Sequence, residues 1–217
     1  MEFGFLKWIG HAAFIIEGEK RIYIDPFKLS KSFGDADIVF ITHSHFDHLS
    51  IDDIKKVATK ETIVVAPTEA KSKLASFNTF LAEPMKKYNL DGVEFETVYA
   101  YNVKKERLNF HPKQNNWLGY IINAGGKRIY HAGDTDFIDE MKSIKCDLAL
   151  LPVGGTYTMS VEEAIEAAKA IDAKYFAPMH YKALLGREGS KEAEDKFKKE
   201  VKNSILLKEV QEPSYSF

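Results

Sequence analysis

Apolar residues in the first forty positions come in short runs whose spacing is typical of β-strands rather than helices. Gly18 and the charged residues beside it predict a hairpin turn between the second and third runs. The predicted strands cover residues 3–9, 12–17, 21–25 and 37–41. We therefore expect this part of the chain to form a sheet.

Helical signals begin at Ser50, which predicts an N-cap because Asp53 follows three residues later, ahead of apolar residues that share one helical face. A second capping signal, Ser160 with Glu163, opens a predicted helix that runs to about Ile171. Further helices are predicted at 68–80 and 190–201, and further strands at 63–66, 94–103, 117–123, 128–131, 147–151, 174–179 and 205–207. Strands first, then strands alternating with helices, indicate layered sheets flanked by helices.

The composition favours one globular domain, since the chain has 217 residues of which 45% are apolar. No Pro/Gly/Ser-rich linker divides it, so residues 1–217 are predicted to form a single domain. The formal net charge of −2 makes a nucleic-acid partner unexpected. One cysteine excludes an internal disulfide, and no apolar run reaches the roughly 18 residues that span a bilayer. We expect a cytoplasmic protein with no membrane partner.

The strongest chemical signal is the segment 42–48, which reads Thr-His-Ser-His-Phe-Asp-His directly after an apolar strand. Residues two apart in an extended segment point the same way, so His43 and His45 can bind one ion together. Asp47 and His48 follow where the chain turns, and they can face a second ion. Imidazoles and carboxylates suit Zn²⁺ and similar divalent metals. A histidine-rich surface loop is the alternative, but these fixed offsets seldom arise by chance.

One motif cannot supply enough ligands for two ions, so the remaining ligands are expected among polar residues where other strands end. His111 lies just ahead of the predicted strand 117–123. Asp134 follows Gly133, which lets the backbone turn sharply, and His180 closes another predicted strand. Each of these residues alone could be an ordinary core or surface residue.

Together these motifs resemble the metallo-β-lactamase superfamily, and most closely its compact branch of metal-dependent hydrolases, which includes the ascorbate-6-phosphate lactonase type. Further matching segments are Ile9-Gly10-His11-Ala12, Tyr23-Ile24-Asp25-Pro26, Ala100-Tyr101-Asn102, Leu151-Pro152-Val153-Gly154-Gly155 and Pro178-Met179-His180-Tyr181. The resemblance implies an α+β fold, a four-layer αββα sandwich of two mixed sheets flanked by helices, with the metals at one edge between the sheets.

The resemblance also implies a set of ligands for two metal ions. The first ion would be bound by His43, His45 and His111, the second by Asp47, His48 and His180, and both by Asp134. Asp25 would lie behind the ligands and hold one histidine by a hydrogen bond. The region around His111 varies most in this superfamily, so His131 is the alternative donor. Its place only three residues before Asp134 favours instead a position behind the ligands.

Other residues are candidates for roles beside the metals. Asp47 is the expected proton carrier, and His11, His131 and Tyr157 could contact the substrate or a ligand. Lys113 and Lys182 lie near predicted ligands and could hold an anionic group, although charged loop residues are usually only solvated. Cys146 is expected to be a small buried side chain rather than a nucleophile.

Two divalent ions about 3.5–4 Å apart lower the pKa of a shared water so that a metal-bridging hydroxide forms near neutral pH. We expect zinc, although manganese, nickel or iron would also suit these ligands. The expected partner is a small ester, lactone or phosphoester substrate that could be anionic. The sequence is also compatible with a homo-oligomer. Alternatives are an iron-dependent redox enzyme of the persulfide dioxygenase type, a small nuclease or phosphodiesterase, and a metal-binding protein without activity.

Overall fold

The computed structural model describes residues 2–210, and its first half forms a six-stranded mixed sheet. The strands are β1 Leu6–Gly10, β2 Ala13–Glu17, β3 Arg21–Ile24, β4 Ala36–Phe40, β5 Ala58–Pro67 and β6 Asn78–Ala82. They lie side by side in chain order. The first three pair antiparallel, whereas β3 to β6 pair parallel, so the carboxyl ends of these four strands lie at one edge of the sheet.

A second six-stranded sheet follows and is also mixed. Its strands are β7 Lys87–Leu90, β8 Val93–Tyr99, β9 Leu118–Ala124, β10 Lys127–His131, β11 Lys145–Pro152 and β12 Asp172–Met179. The strands β7 to β10 pair antiparallel, and β10, β11 and β12 pair parallel. This sheet therefore also has an edge at which several strands end together.

Three α-helices are present in residues 2–210, together with short 3₁₀ turns. They are α1 Ile51–Val57, α2 Val161–Ala170 and α3 Lys182–Glu200, and the 3₁₀ turns are Thr68–Ser72, Lys113–Asn115 and Asp139–Ser143. Both predicted caps form: the Ser50 side chain accepts from the Asp53 N–H, and Ser160 and Glu163 make a complete capping box. The helical run α3 is interrupted at Gly186, where φ is +65°.

The two sheets pack face to face around an aromatic core. The Phe40 ring of the first sheet lies 4.9 Å edge-on from both Phe95 and Tyr120 of the second. On the outer face of the first sheet, Ile54 and Val57 of α1 pack in a second apolar cluster. Helices α2 and α3 contact β11 and β12 of the second sheet. The expected four-layer αββα sandwich is confirmed.

Two of the expected elements are wrong. The segment 68–80, predicted as a helix, has only the 3₁₀ turn Thr68–Ser72 and then enters β6. The reason is tertiary: β6 completes its backbone hydrogen bonds against β5, which offsets the weak local preference. Residues 205–207 were predicted as a strand, but they form none. An isolated bridge pairs the preceding Ser204 with Phe176, and the Ile205 N–H donates to the Phe176 oxygen over 2.7 Å.

The single-domain prediction for residues 1–217 stays a prediction. Within residues 2–210, no helix is long and apolar enough to cross a bilayer.

Candidate metal centre

The predicted ligands converge because the strands that carry them end at the same edge of the sandwich. The segment 42–48 follows β4, Asp134 follows β10, and His180 follows β12. The two sheets present their parallel carboxyl ends side by side, and polar loops at such ends commonly build sites. His180 has a left-handed backbone with φ of +58°, and its N–H donates to the His11 oxygen over 3.0 Å.

One group of possible ligands consists of His43, His45 and His111, whose nearest nitrogens all lie within 4.8 Å of one another. The His43 Nε2 and the His45 Nδ1 are 3.0 Å apart. These are the three residues expected to bind the first ion, and the structure brings them together.

A second group consists of His11, Asp47, His48 and His180, again with ligand atoms within 4.8 Å of one another. The Asp47 Oδ2 lies 3.0 Å from the His11 Nε2, 3.9 Å from the His48 Nε2 and 4.0 Å from the His180 Nε2. The three residues expected for the second ion are therefore adjacent. His11 belongs to the same group, so it lies next to the residues expected to bind the second ion.

Asp134 lies between the two groups. Its Oδ1 is 3.4 Å from the His48 Nε2, and its Oδ2 is 3.3 Å from the His111 Nε2 and 3.1 Å from the His180 Nε2. One carboxylate thus lies against histidines of both groups, which is a position from which it could reach two ions. Ligation by these residues stays a prediction, but their geometry suits it.

Hydrogen bonds behind the cluster set the tautomers of two histidines. The His48 Nδ1 donates to the Asp25 Oδ2 over 2.7 Å, and the His111 Nδ1 donates to the Asn102 Oδ1 over 2.9 Å. The Asn102 Nδ2 donates to the Tyr157 oxygen over 2.7 Å, so the orientation of this amide is determined by its partners. In both histidines the Nε2 lone pair consequently points toward the cluster, as metal ligation requires.

Thr42 extends this arrangement to His43. The Thr42 hydroxyl donates to the Asp25 Oδ2 over 2.6 Å, which leaves its oxygen to accept from the His43 Nδ1 over 3.0 Å. The Thr42 N–H donates to the other Asp25 oxygen over 2.8 Å. Asp25, which is fully buried, therefore orients His48 directly and His43 through Thr42. This is the orienting position expected for Asp25, and the role itself stays a prediction.

Several buried polar atoms in the cluster have no hydrogen-bond partner among the described residues. Among them are four atoms, the Nε2 of His48, His111 and His180 and the Oδ1 of Asp134. Buried polar atoms without partners cost roughly 1–3 kcal/mol each, so such a concentration needs a compensating ligand. Divalent cations would satisfy all four atoms at once, and the donor set of imidazoles and carboxylates fits them.

The electrostatics of the cluster favour neutral His43 and His45 beside an ionised Asp134. Burial lowers the pKa of His43 well below its usual value, aided by the charge of His48, and burial lowers the pKa of His45 to about 4. Burial alone would raise the pKa of Asp134. The charges of His180 and His48 outweigh burial and lower this pKa well below its usual value, so the carboxyl stays ionised. For His48, burial is outweighed by Asp134, Asp25 and Asp47, which raise the pKa well above its usual value. Negative potential therefore accumulates where a cation would bind.

Two glycines permit this close packing. A Cβ on Gly154 would lie 2.5 Å from the His180 oxygen, and a Cβ on Gly133 would lie 2.8 Å from the Leu118 oxygen. Gly133 also has φ of +66°, a conformation that other residues seldom adopt. The turns that present Asp134 and His180 to the cluster therefore depend on the absence of a side chain at these positions.

A cavity of about 460 Å³ opens beside the cluster. Its polar side is formed by His11, His45, Asp47, His111 and His180. Tyr157 also lines it, at the position expected for a loop residue near the substrate. A cavity of this size suits a small molecule.

His131 is the predicted site residue that the structure does not bring into the cluster. Its Nε2 donates to the Ala12 oxygen over 2.8 Å, and its Nδ1 accepts from the Gly133 N–H over 3.2 Å. Burial lowers its pKa, so the ring is neutral and both nitrogens are engaged by backbone. His131 therefore supports the turn before Asp134, and both of its ring nitrogens are engaged by the backbone.

Sequence reasoning assigned no role to two residues that support the ligands. Asn102 was noticed only as part of a matching segment, yet it links His111 to the Tyr157 loop. Glu69 accepts from the Ser44 hydroxyl over 2.9 Å and from the Trp117 Nε1 over 3.0 Å. Glu69 lies in the segment wrongly predicted as a helix, so nothing in the sequence indicated these contacts.

A family model described as the beta-lactamase superfamily domain matches residues 5–180 of the chain. The chain belongs to this superfamily. Among superfamily relatives, a UPF0173 metal-dependent hydrolase from Methanoculleus marisnigri is 37% identical over 187 residues, which is 81% of this chain and 80% of that one. The family therefore supports the coarse conclusion that the protein is a metal-dependent hydrolase.

Solved structures of superfamily members agree with the fold. A chain from Parabacteroides distasonis superposes with a TM-score of 0.82 at 32% identity, covering 95% of this chain and 93% of that one. Igni18, a metallo hydrolase from Ignicoccus hospitalis, superposes with a TM-score of 0.73 at 27% identity, covering 93% and 94% of the two chains.

Proposed function

We propose that the protein is a dinuclear metal-dependent hydrolase that acts on a small ester, lactone or phosphoester substrate. The observation that carries this proposal is the position of Asp134 between two groups of possible ligands, beside a cavity. The naming of its relatives as metal-dependent hydrolases supports the reaction class.

In this proposal His43, His45 and His111 bind the first cation, Asp47, His48 and His180 bind the second, and Asp134 binds both. Bound divalent cations, with zinc expected first, would polarise the substrate's carbonyl or phosphoryl oxygen and make a water molecule nucleophilic near neutral pH. Asp25, Thr42 and Asn102 hold three of the histidines with their Nε2 lone pairs turned inward.

Asp47 is the residue we assign to proton transfer. It is the more exposed of the two clustered carboxylates, it lines the cavity, and the His11 Nε2 lies 3.0 Å from its Oδ2. Burial and the charge of His180 lower the pKa of His11 to about 4, so a neutral His11 donates this hydrogen bond. Asp47 can then take a proton from the attacking water and pass it to the leaving group, while Tyr157 contacts a substrate oxygen.

The test is elemental analysis combined with a substrate panel. Untagged protein should contain about two divalent ions per chain and should hydrolyse at least one lactone, carboxylic ester or phosphoester. Asp134→Ala should lose turnover and bind less metal, because this carboxylate is shared between both ions. Asp139→Ala is a matched control, since Asp139 is exposed and its carboxylate forms a salt bridge with Lys142.

Full metal content and full activity in Asp134→Ala would contradict the bridging assignment. One iron per chain with oxygen consumption would instead favour the redox alternative.

A further inference from the structure

The cavity beside the ligand cluster has an apolar side that the proposed reaction does not explain. It is formed by Phe27, Phe46, Phe110, Tyr157, Ala183 and Leu184. No lysine or arginine is among the described residues that line the cavity. A substrate would therefore meet no lysine or arginine on the wall of this cavity.

Four of these side chains form two aromatic pairs from loops of the two sheets. Phe27 and Phe46, near the ends of β3 and β4, lie edge-on with ring centroids 6.0 Å apart. Phe110 and Tyr157, from the loops after β8 and β11, lie edge-on at 4.8 Å. Phe46 is 72% exposed, and Phe110 and Tyr157 are also exposed. Clustered exposed aromatic rings beside a cavity typically mark a binding surface for an apolar group.

The lysines nearest in sequence are engaged elsewhere. The Lys113 Nζ lies 3.0 Å from Glu140 and 3.1 Å from the Tyr101 hydroxyl. The Lys182 Nζ is 3.7 Å from Glu209 and 4.7 Å from the centre of the Trp8 ring. Lys28 lies next to Phe27, with its ammonium 5.4 Å from that ring, outside the cavity lining. An anionic group on the substrate, remote from the metals, would have no cationic partner on the cavity wall.

We propose that the substrate carries an uncharged apolar group, aromatic or of similar size, next to the bond that is hydrolysed, and no second anionic group. This inference rests on the proposed hydrolase function and narrows its substrate class. For a lactone, the water oxygen forms a bond to the carbonyl carbon, the ring C–O bond breaks, and the ring oxygen takes a proton, which yields a hydroxy acid.

Matched substrates test the inference in each bond class. The lactone series is γ-butyrolactone with hydrogen, phenyl or carboxylate on the γ carbon. The ester series is methyl acetate, methyl phenylacetate and monomethyl succinate, and the phosphoryl pair is methyl phenylphosphonate and methyl phosphate. Within the hydrolysed series, we expect kcat/KM for the phenyl member to exceed that of the charged member at least about tenfold.

Variants connect this preference to the cavity wall. Phe110→Ala should lower kcat/KM for the phenyl member at least about tenfold and leave the smallest member nearly unchanged. Leu108→Ala is the matched control, because Leu108 is an exposed apolar residue of the same loop that does not line the cavity. Metal content is measured in each variant, so that a loss of ligands is recognised.

A second pair of variants tests whether a cation added to the cavity wall changes the preference between substrates. Ala183→Lys adds a cation to the cavity wall and should raise the relative kcat/KM of the carboxylate-bearing member, whereas Ala183→Met adds similar length without charge and should not. Preference of the unmodified enzyme for the charged members would overturn the inference while leaving the hydrolase proposal intact. Absence of hydrolysis across all series by protein with full metal content would overturn both.

Discussion

Replacement of Arg107 by methionine tests how the loop that carries Tyr157 is held. Arg107 is 5% exposed, and its guanidinium lies 2.9 Å from the Asp136 Oδ1 and 2.8 Å from both oxygens of Glu163. Its other terminal nitrogen donates to the backbone oxygens of Gly155 and Thr158, on either side of Tyr157. One buried cation therefore joins the 154–160 loop to two carboxylates.

The size of the effect follows mainly from Asp136. Removal of one partner from a buried ion pair costs about 3–5 kcal/mol, because the other charge is left without compensation. Asp136, which is 1% exposed, keeps hydrogen bonds from the N–H groups of Val103 and Lys104, which places the cost near the lower limit. The pair with Glu163 is partly solvated and adds at most about 1 kcal/mol. We expect Arg107→Met to lower the free energy of unfolding by about 3–4 kcal/mol.

Urea unfolding at one saturating zinc concentration measures this change, since the contribution of metal binding is then the same for both proteins. The exposed neighbour Lys105 supplies the control, because Lys105→Met should change stability by no more than about 0.5 kcal/mol. A double-mutant cycle with Asp136→Asn should give a coupling energy of about 1–3 kcal/mol. A loss below about 1 kcal/mol in Arg107→Met, or a coupling near zero, would refute the reasoning.

The ion pair between Arg107 and Glu163 also predicts how the free energy of unfolding depends on pH. Burial would raise the pKa of Glu163, but the Ser160 N–H and Arg107 lower it below its usual value of 4.5. A carboxyl with a depressed folded pKa stabilises the fold above its unfolded pKa, and this stability is lost as pH falls through the folded value. The free energy of unfolding should therefore decrease as pH falls below about 4.5, and it should decrease less in Arg107→Met.

Three further outcomes are expected. Burial raises the pKa of the Cys146 thiol to about 12, so iodoacetamide at pH 8 should modify the native protein very slowly and the urea-unfolded protein readily, as mass spectrometry would show. Asn102→Ala frees the Nδ1 of His111 and should weaken metal binding about 10–100-fold in a chelator competition; unchanged affinity would contradict the orienting role. Gly154→Ala should reduce metal content because the new Cβ meets the backbone oxygen of His180, a proposed ligand, at 2.5 Å, whereas Gly18→Ala, with no atom nearer than 3.8 Å, should not.

The parts of the fold that sequence reasoning predicted are those whose patterns are local. Buried strands such as β4 and β11 are compact apolar runs, and the caps of α1 and α2 are defined by residues three apart. The edge strand β7, Lys87–Leu90, alternates exposed and half-buried residues and contains no strong apolar signal. It becomes a strand only because β8 provides hydrogen-bonding partners, which is a tertiary effect.

The candidate site shows the same division between local and distant information. His43, His45, Asp47 and His48 could be recognised together because they fall within six successive positions and their chemistry has no other common purpose. The apolar cavity wall had no such signal, since its aromatic residues come from four separate loops and each would pass for an ordinary surface or core residue. Metal ligands are chemically unusual wherever they occur, whereas an apolar contact with a substrate differs from a core contact only by the solvent it faces. Metal-ligand sets can therefore be predicted from sequence more readily than substrate classes can. For this protein, the charge and shape of the cavity wall are what distinguish one substrate class from another.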